Sequence, residues 1–253
     1  MSPNTQEVGD GELRARGHAA DHCFERLARA LLAGDVAAGD ELPPERVLAE
    51  RYGVSRLIVR QAVHRLAEVG LVRVRQGGAT IALDPDQAAD LRVIELRYRL
   101  SKLATGEEHD LLEVQLLRGH ALLQLAALHG SKDELTALAP IVDRYADAGA
   151  PDGRHMREFE AQFWGAVARA GGNQIYIVET AWLYRMLEQH PGAQHPAMVP
   201  PATRIHFYRE LARRLAQRDD APAFYLAVSR PILEGARKTT PPRPARRRSK
   251  ETR

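Results

Sequence analysis

Arg56, Arg60 and His64 follow one another at intervals of four residues. In a helix that interval stacks side chains on one face. A guanidinium presents a planar fork of donors that matches the paired acceptors of a guanine edge and the oxygens of a phosphate. Arg46 lies shortly upstream and adds a further group of the same kind. The chemistry open to these residues is recognition of an acceptor-rich, negatively charged partner. No Ser/His/Asp or Cys/His set and no Gly-rich phosphate loop stands out elsewhere. A lone carboxylate such as Glu160 is a weak acid–base signal. The residues point to a binding protein and not to an enzyme.

Those arginines need a scaffold, and residues 42–82 supply one. Glu45 to Tyr52 reads as a helix with Leu48, Ala49 and Tyr52 on its apolar side. Gly53 follows, where a helix end favours a left-handed backbone. Ser55 offers a side-chain oxygen to cap the next helix, which runs to about Val69 before Gly70 stops it. In that helix Val59, Ala62, Val63 and Leu66 recur at i, i+3, i+4 and i+7, an inward stripe. Leu71 to Arg75 and Thr80 to Leu83 are short β-type runs around Gln76-Gly77-Gly78, a hairpin signal. The whole reads as a winged helix-turn-helix, whose second helix enters the major groove. An upstream helix with Phe24, Leu27, Ala28, Leu31 and Leu32 on one face, ending at Gly34, completes a three-helix head over residues 18–84. Arginines along a helix are more often a plain solvated face; here the capped turn and the wing coincide with them.

The 253 residues suffice for two domains. Hydrophobic residues make up 44% and charged residues 27%, the composition of a soluble protein. Net charge is only +3, so positive charge matters locally or not at all. Cys23 is the one cysteine, which excludes a disulfide framework and a Cys-based zinc site. No apolar run is long enough to span a bilayer and no export signal opens the chain, so a cytoplasmic location without membrane contact is expected. Residues 1–17 are polar and Gly-containing and are expected to be disordered. Residues 85–106 read as a linker with a helix from Gln87 to about Leu103, where Val93, Leu96, Leu100 and Leu103 are heptad-like. Residues 107–236 read as about six helices with short breaks and no strand pattern, an all-α bundle. The tail 237–253 holds eight Lys/Arg, one Glu and three Pro and is expected to be disordered. The fold class is thus mainly α, with a winged helix-turn-helix followed by a helical bundle.

The motif Leu42-Pro43-Pro44-Glu45-Arg46, Leu48-Ala49, Gly53-Val54-Ser55-Arg56, Val59-Arg60-Gln61-Ala62, Leu66 and Gly70-Leu71 closely resembles the DNA-binding domain of the GntR family of regulators. The match is ungapped over some forty residues. The resemblance implies DNA contacts by Arg46 of the first helix, Arg56 and Arg60 of the recognition helix and Gly77 at the wing tip. Ser55, Leu57, Gln61 and Thr80 join them as candidate DNA-binding positions. Pro44 stands where a capping Ser is usual, Leu57 and Ile58 replace a polar residue and Pro, and Gln61 replaces Glu. Leu57 and Gln61 sit where bases or phosphates are touched, so these departures bear on base preference.

In the helical part, the helix Asp110 to His129 is apolar nearly all round and is expected to be central and buried. Gln115, Arg118 and Gly119 fall within one of its turns. Gly119 marks either close helix packing or a ligand. In the helix Arg154 to Ala170 the inward stripe is Met156, Phe159, Phe163 and Val167, bordered by Glu160 and Trp164. In the helix Ala202 to Gln217, Ile205, Tyr208, Leu211 and Leu215 face inward and His206 faces out. Arg230 shares a face with Ala223 and Ala227. These segments, with Asp110 to Val114, Ala170-Gly171-Gly172-Asn173 and Leu211 to Ala223, resemble the FCD ligand-binding domain of the FadR-like branch of the same family. Many members of that branch hold a divalent metal through one Asp and three His. The corresponding positions are Glu160, Trp164, Tyr208 and Arg230, none of them His, so no metal or other cofactor is expected. Gln115, Arg118, Glu160, Trp164, Tyr208 and Arg230 become candidate effector-binding residues for an amphipathic anion, a fatty acid or acyl-CoA. The resemblance further implies a homodimer on a short palindromic operator and repression relieved by the effector. Two rivals stand beside this reading: a metal-dependent sensor of small carboxylates, and a non-specific nucleoid-type DNA binder.

Overall fold

The period of the apolar residues decides the architecture of each part. A computed structural model describes residues 5–75, 78–100, 105–147, 153–189 and 201–239. They form two compact units, one within residues 1–102 and one within 103–244.

The first unit opens with helix α1 (Thr5–Ala33). It begins at Thr5, within the stretch expected to be disordered over residues 1–17. Gly9, Gly11 and Gly17 weaken a helix there without forbidding it, and Glu, Leu, Arg and Ala between them favour it. Helices α2 (Glu45–Tyr52) and α3 (Arg56–Glu68) follow, then strands β1 (Val72–Val74) and β2 (Thr80–Ala82). The strands pair antiparallel, with Val72 opposite Ala82 and Val74 opposite Thr80. The segment before α2 pins the wing, since Leu42 N donates to Thr80 O at 2.8 Å and Ala82 N to Asp40 O at 2.9 Å. Phe24, Leu27, Ala28 and Leu31 of α1 meet Val59, Ala62, Val63 and Leu66 of α3 in one core, with Cys23 fully enclosed.

Helix α4 (Arg92–Leu100) starts later than the linker helix expected from Gln87 to Leu103, and residues 101–104 lie outside the described part. Asp84 accepts from Asp86 N and starts a single 3-10 turn, Pro85–Gln87. Asp90 then accepts from Arg92 N at 2.8 Å and pairs with its guanidinium at 2.6 Å, which fixes the start of α4. Val93, Leu96 and Leu100 do not form a free seam; they are buried in the core of the head. Arg29 of α1 also donates to the Leu100 carbonyl.

The second unit contains, among the described residues, helices α5 (Thr105–His129), α6 (Lys132–Thr136), α7 (Leu138–Asp147), α8 (Gly153–Ala170), α9 (Gln174–Gln189), α10 (Pro201–Ala216) and α11 (Ala221–Thr239). Its core gathers Leu122, Leu123 and Ala126 of α5, Phe159, Phe163 and Val167 of α8, and Tyr208, Leu211 and Leu215 of α10. Helix α6 starts from a full capping box between Ser131 and Glu134. Arg218 takes a left-handed backbone (φ 58°) at the α10–α11 turn. Its guanidinium reaches the Ala127 and Gly130 carbonyls at 2.9 and 2.7 Å, which satisfies acceptors at the end of α5.

Helix α5 departs from the expectation of burial on all sides. Val114, Leu117 and Leu128 are 52%, 56% and 72% exposed. With half-buried Ala121 and Leu125 they form one stripe at helical spacing. Helix α11 runs into the segment expected to be a disordered tail, to Thr239, and residues 240–253 lie outside the described part.

Candidate functional site

The recognition helix is held by what it buries. Val59 and Ala62 are fully enclosed, as is Leu66, so the side chains a third of a turn away must face solvent. Arg56, Leu57, Arg60 and Gln61 are all exposed, with Leu57 at 64%. Ser55 caps the helix, accepting from Ile58 N at 3.3 Å. The preceding turn closes at Gly53, whose φ of 66° is the left-handed value that favours glycine. Pro44, where Ser is usual, leaves α2 without a side-chain cap. Thr80 is half-buried in β2 and its carbonyl serves the wing. Gly77 lies outside the described residues.

Two of the candidate arginines are engaged within the head. Arg60 forms a forked contact with the Glu45 carboxylate, Nη2 to Oε2 at 2.9 Å and Nε to Oε1 at 3.1 Å. Those hydrogen bonds, and then the Glu45 charge itself, hold the Arg60 guanidinium more firmly protonated than usual. Arg46 pairs with Glu50, one turn along α2, at 2.7 Å. The Glu45–Arg60 clasp is not legible in the sequence, because the two residues sit on different helices. A DNA phosphate or base edge must compete with Glu45 for Arg60.

In the helical unit the aromatic residues occupy the bundle centre. Phe163 meets Tyr208 edge-on at 4.8 Å and Trp164 at 5.6 Å, and Trp164 meets Tyr225 at 5.6 Å. Of the candidate effector residues, Glu160, Trp164 and Tyr208 form one chain: Trp164 Nε1 donates to Tyr208 Oη at 3.3 Å, and Tyr208 Oη donates to Glu160 Oε1 at 2.9 Å. Gly119 belongs to this packing. A Cβ there would lie 2.3 Å from Tyr225 Oη and 3.1 Å from Trp164 Cη2, so close ring approach accounts for the glycine. Gln115 is half-buried, on the turn of α5 before Gly119. Arg230 is exposed on α11, with Ala223 and Ala227 exposed on the same side. The helical phase carries Arg230 away from Glu160, whose carboxylate is influenced instead by Arg204.

These residues do not suit a metal. The Glu160 carboxylate is already the acceptor of a tyrosine hydroxyl, and an indole is no ligand. Among the described residues no group of three or more His, Cys, Asp or Glu stands together.

Arg118 forms a separate polar group. It is 7% exposed, and Nη1 donates to Thr180 Oγ1 of α9 at 3.3 Å. Its guanidinium lies 5.7 Å from the Tyr184 ring centroid. Its side chain also interacts with the Tyr184 hydroxyl, while its buried Nε has no hydrogen-bond partner among the described residues. Thr180 and Tyr184 also line a cleft of 420 Å³ between α8 and α9, where Arg154, Arg157, Arg169 and Arg185 stand with Glu158 and Glu188. None of the α9 residues was singled out from the sequence, because their meeting with Arg118 depends on how distant helices pack.

A capped recognition helix, a tight turn and a paired wing on a three-helix head define a winged-helix DNA-binding protein. The family model described as bacterial regulatory proteins, gntR family, matches residues 19–81. The regulator Mce2R of Mycobacterium tuberculosis is 31% identical over 204 residues, covering 80% of this chain and 84% of its own. A fatty acid metabolism regulator protein of Edwardsiella ictaluri is 30% identical over 141 residues, 54% of this chain and 56% of its own. Among solved structures, GntR of Streptococcus agalactiae aligns over 86% of this chain and 99% of its own, at 24% identity and a TM-score of 0.42. The chain belongs to the GntR family of bacterial transcriptional regulators. It is a DNA-binding regulator and not an enzyme. Among the described residues no helix is long and apolar enough to cross a membrane.

Two predictions follow from these contacts. Burial raises the Glu160 carboxyl above its ordinary range, against the opposing pull of the Tyr208 hydrogen bond and the Arg204 charge. A carboxyl that protonates more readily folded than unfolded loses stability for the protein as pH rises from the ordinary Glu range through the raised value. Glu160→Gln is therefore expected to raise the melting temperature at neutral pH, and to bring no gain below about pH 4, where both states are protonated. Thermal melts across pH check this; an equal gain at every pH would remove titration as the cause. In the head, Glu45→Ala is expected to tighten binding to unselected duplex DNA and to steepen its salt dependence, since Arg60 becomes free to pair with phosphate. Anisotropy titrations at several salt concentrations measure both, and weaker binding by the variant would mean that Glu45 orients Arg60 for the duplex.

Proposed function

We propose that the chain is a sequence-specific repressor that binds a short palindromic operator as a homodimer and is released by a small effector bound in its helical unit. The observation that carries the reading is α3, where Arg56, Leu57, Arg60 and Gln61 are exposed beside a buried stripe. That arrangement suits insertion into the major groove, with Arg56 and Arg60 at guanine edges or phosphates; Arg46 and Gly77 are further contact residues that the family resemblance suggests. One such head reads few base pairs, so useful specificity needs two heads. The exposed stripe of Val114, Leu117, Ala121, Leu125 and Leu128 on α5 supports an isologous contact with a second copy, because an apolar stripe along an otherwise core helix calls for a partner. Ile175 and Val178 on α9, 78% and 60% exposed, extend the apolar surface of this unit.

The helical unit is read as an FCD-type effector domain without a metal. Aromatic walls from Phe163, Trp164 and Tyr208 and the buried charge of Arg118 suit an amphipathic anion, with a fatty acid or acyl-CoA as the class to test first. The stretch of similarity to the fatty acid metabolism regulator protein supports the same class. An effector releases the operator only if it prefers the conformation that binds DNA poorly.

Duplexes selected by the protein from a randomised pool are expected to share a palindrome. On that duplex Arg60→Ala is expected to cost about 1–3 kcal/mol while changing unselected DNA little. A uniform, small loss on all sequences would instead favour the non-specific DNA binder. Leu117→Glu is expected to turn a dimer into a monomer in sedimentation experiments and to lower operator affinity with it. A variant that stays dimeric would move the interface off α5.

A further inference from the structure

We infer that Leu57 and Gln61 read an A·T-containing step of the operator, Leu57 covering a thymine methyl and Gln61 taking the paired donor and acceptor of an adenine. The helical repeat sets the directions around α3. Val59, Ala62, Val63 and Leu66 are buried and fix its inward side. At 3.6 residues per turn, the direction opposite to that stripe passes within about 30° of Leu57, Gln61, His64 and Glu68. All four are exposed. Arg60 and Arg56 lie about 70° and about 110° off the same line, both to one side. The ridge of α3 that stands furthest from the core is therefore made by Leu57, Gln61 and His64, with the arginines on its flank.

The head itself holds both flanks of that ridge. On one side Arg60 is drawn to Glu45 of α2 at 2.9 Å. On the other Arg65 pairs with Asp21 of α1 at 2.6 Å and lies over the Phe24 ring. At the C-terminal end Glu68 carries a charge that phosphate repels. Leu57 and Gln61 stand in the first two turns, the end that meets base edges when a helix of this kind enters the major groove. Leu57 is 64% exposed, more than Val74 at 45%, Leu91 at 51% or Ile94 at 39% in the same head. It fills no part of the core and offers phosphate neither donor nor charge. The apolar group that base pairs present in the major groove is the thymine C5-methyl. Gln61 carries a donor and an acceptor on one planar amide, the complement of adenine N7 and N6–H. Residues one turn apart on a helix face are separated by about 6 Å, the length of about two steps of a duplex that rises about 3.4 Å per base pair. The thymine and the adenine thus fall within about two base pairs of each other.

This inference rests on the reading of the head as a sequence-specific binder, and it names what the head reads. The test uses the full chain and a duplex that it selects from a randomised pool. Each thymine of one half-site is replaced in turn by uracil, which lacks only the methyl, and each adenine by 7-deazaadenine, which lacks only the N7 acceptor. At one thymine, uracil is expected to weaken wild-type binding about fourfold, the worth of one buried methyl-sized group. Leu57→Ala is expected to bind the unmodified duplex more weakly and to lose nothing further with uracil at that position. At one adenine within about two base pairs, loss of N7 is expected to weaken the wild type about fivefold and to cost Gln61→Ala nothing further. A fresh selection with Gln61→Glu is expected to exchange that adenine for cytosine, whose N4 amine a carboxylate can accept from. Both side chains are exposed, so the variants are expected to melt as the wild type does. Equal uracil penalties for wild type and Leu57→Ala, or equal deazaadenine penalties for wild type and Gln61→Ala, would overturn the inference, while a shared palindrome in the selected pool would still uphold the operator reading. A pool without any shared sequence would overturn both.

Discussion

Burial of one face of α3 is the constraint on which the head depends. Val59, Ala62, Val63 and Leu66 are inside because α1 and the wing close over them. The helical repeat then leaves no freedom for the rest, and Arg56, Leu57, Arg60 and Gln61 must face outward. Each neighbouring device serves that placement. Gly53 permits the turn that aims α3, Ser55 accepts from one of its free N-terminal donors, and the Leu42 segment locks the wing beside it. Helix α4 extends the same logic, since its apolar stripe completes this core.

The helical unit follows a different rule. Its centre is filled by rings meeting edge to face, and its polar groups are threaded among them. Glu160 is satisfied within the protein, through Tyr208 and then Trp164. Arg118 is not satisfied in the same way. Two buried groups of opposite charge thus remain separate, each with its own neighbours.

How much of this was legible in the sequence depends on the range of the interaction. The head was legible in nearly every element, because caps, turn glycines and the i, i+3, i+4, i+7 stripe are signals within a few residues. Gly53, Ser55 and Leu66 stand where the pattern put them. The inward stripe of α8 was equally readable, with Met156, Phe159, Phe163 and Val167 all buried. The chain of Glu160, Trp164 and Tyr208 joins residues flagged singly, though not their partnership. Arg230 corresponds to a pocket position only through the family resemblance, and it is exposed together with Ala223 and Ala227, whose face it shares. Thr180 and Tyr184 gave no signal at all, since a Thr and a Tyr on an apolar helix look like ordinary core. The exposed stripe of α5 was hidden for a related reason. A helix apolar all round reads the same whether its last face is covered by its own chain or by another.

The clasp between Glu45 and Arg60 bears on how such a protein finds its target. A regulator spends most of its time on the wrong DNA, and every cation that grips phosphate lengthens each stop. A carboxylate already seated on Arg60 withholds that grip from a passing duplex. Only a site that offers the fork a better set of acceptors draws it away. If Arg60 grips phosphate, Glu45 would shorten residence on the many incorrect sites without occupying any position at the correct one, and the speed of the search would be set in part by a residue that need never touch a base.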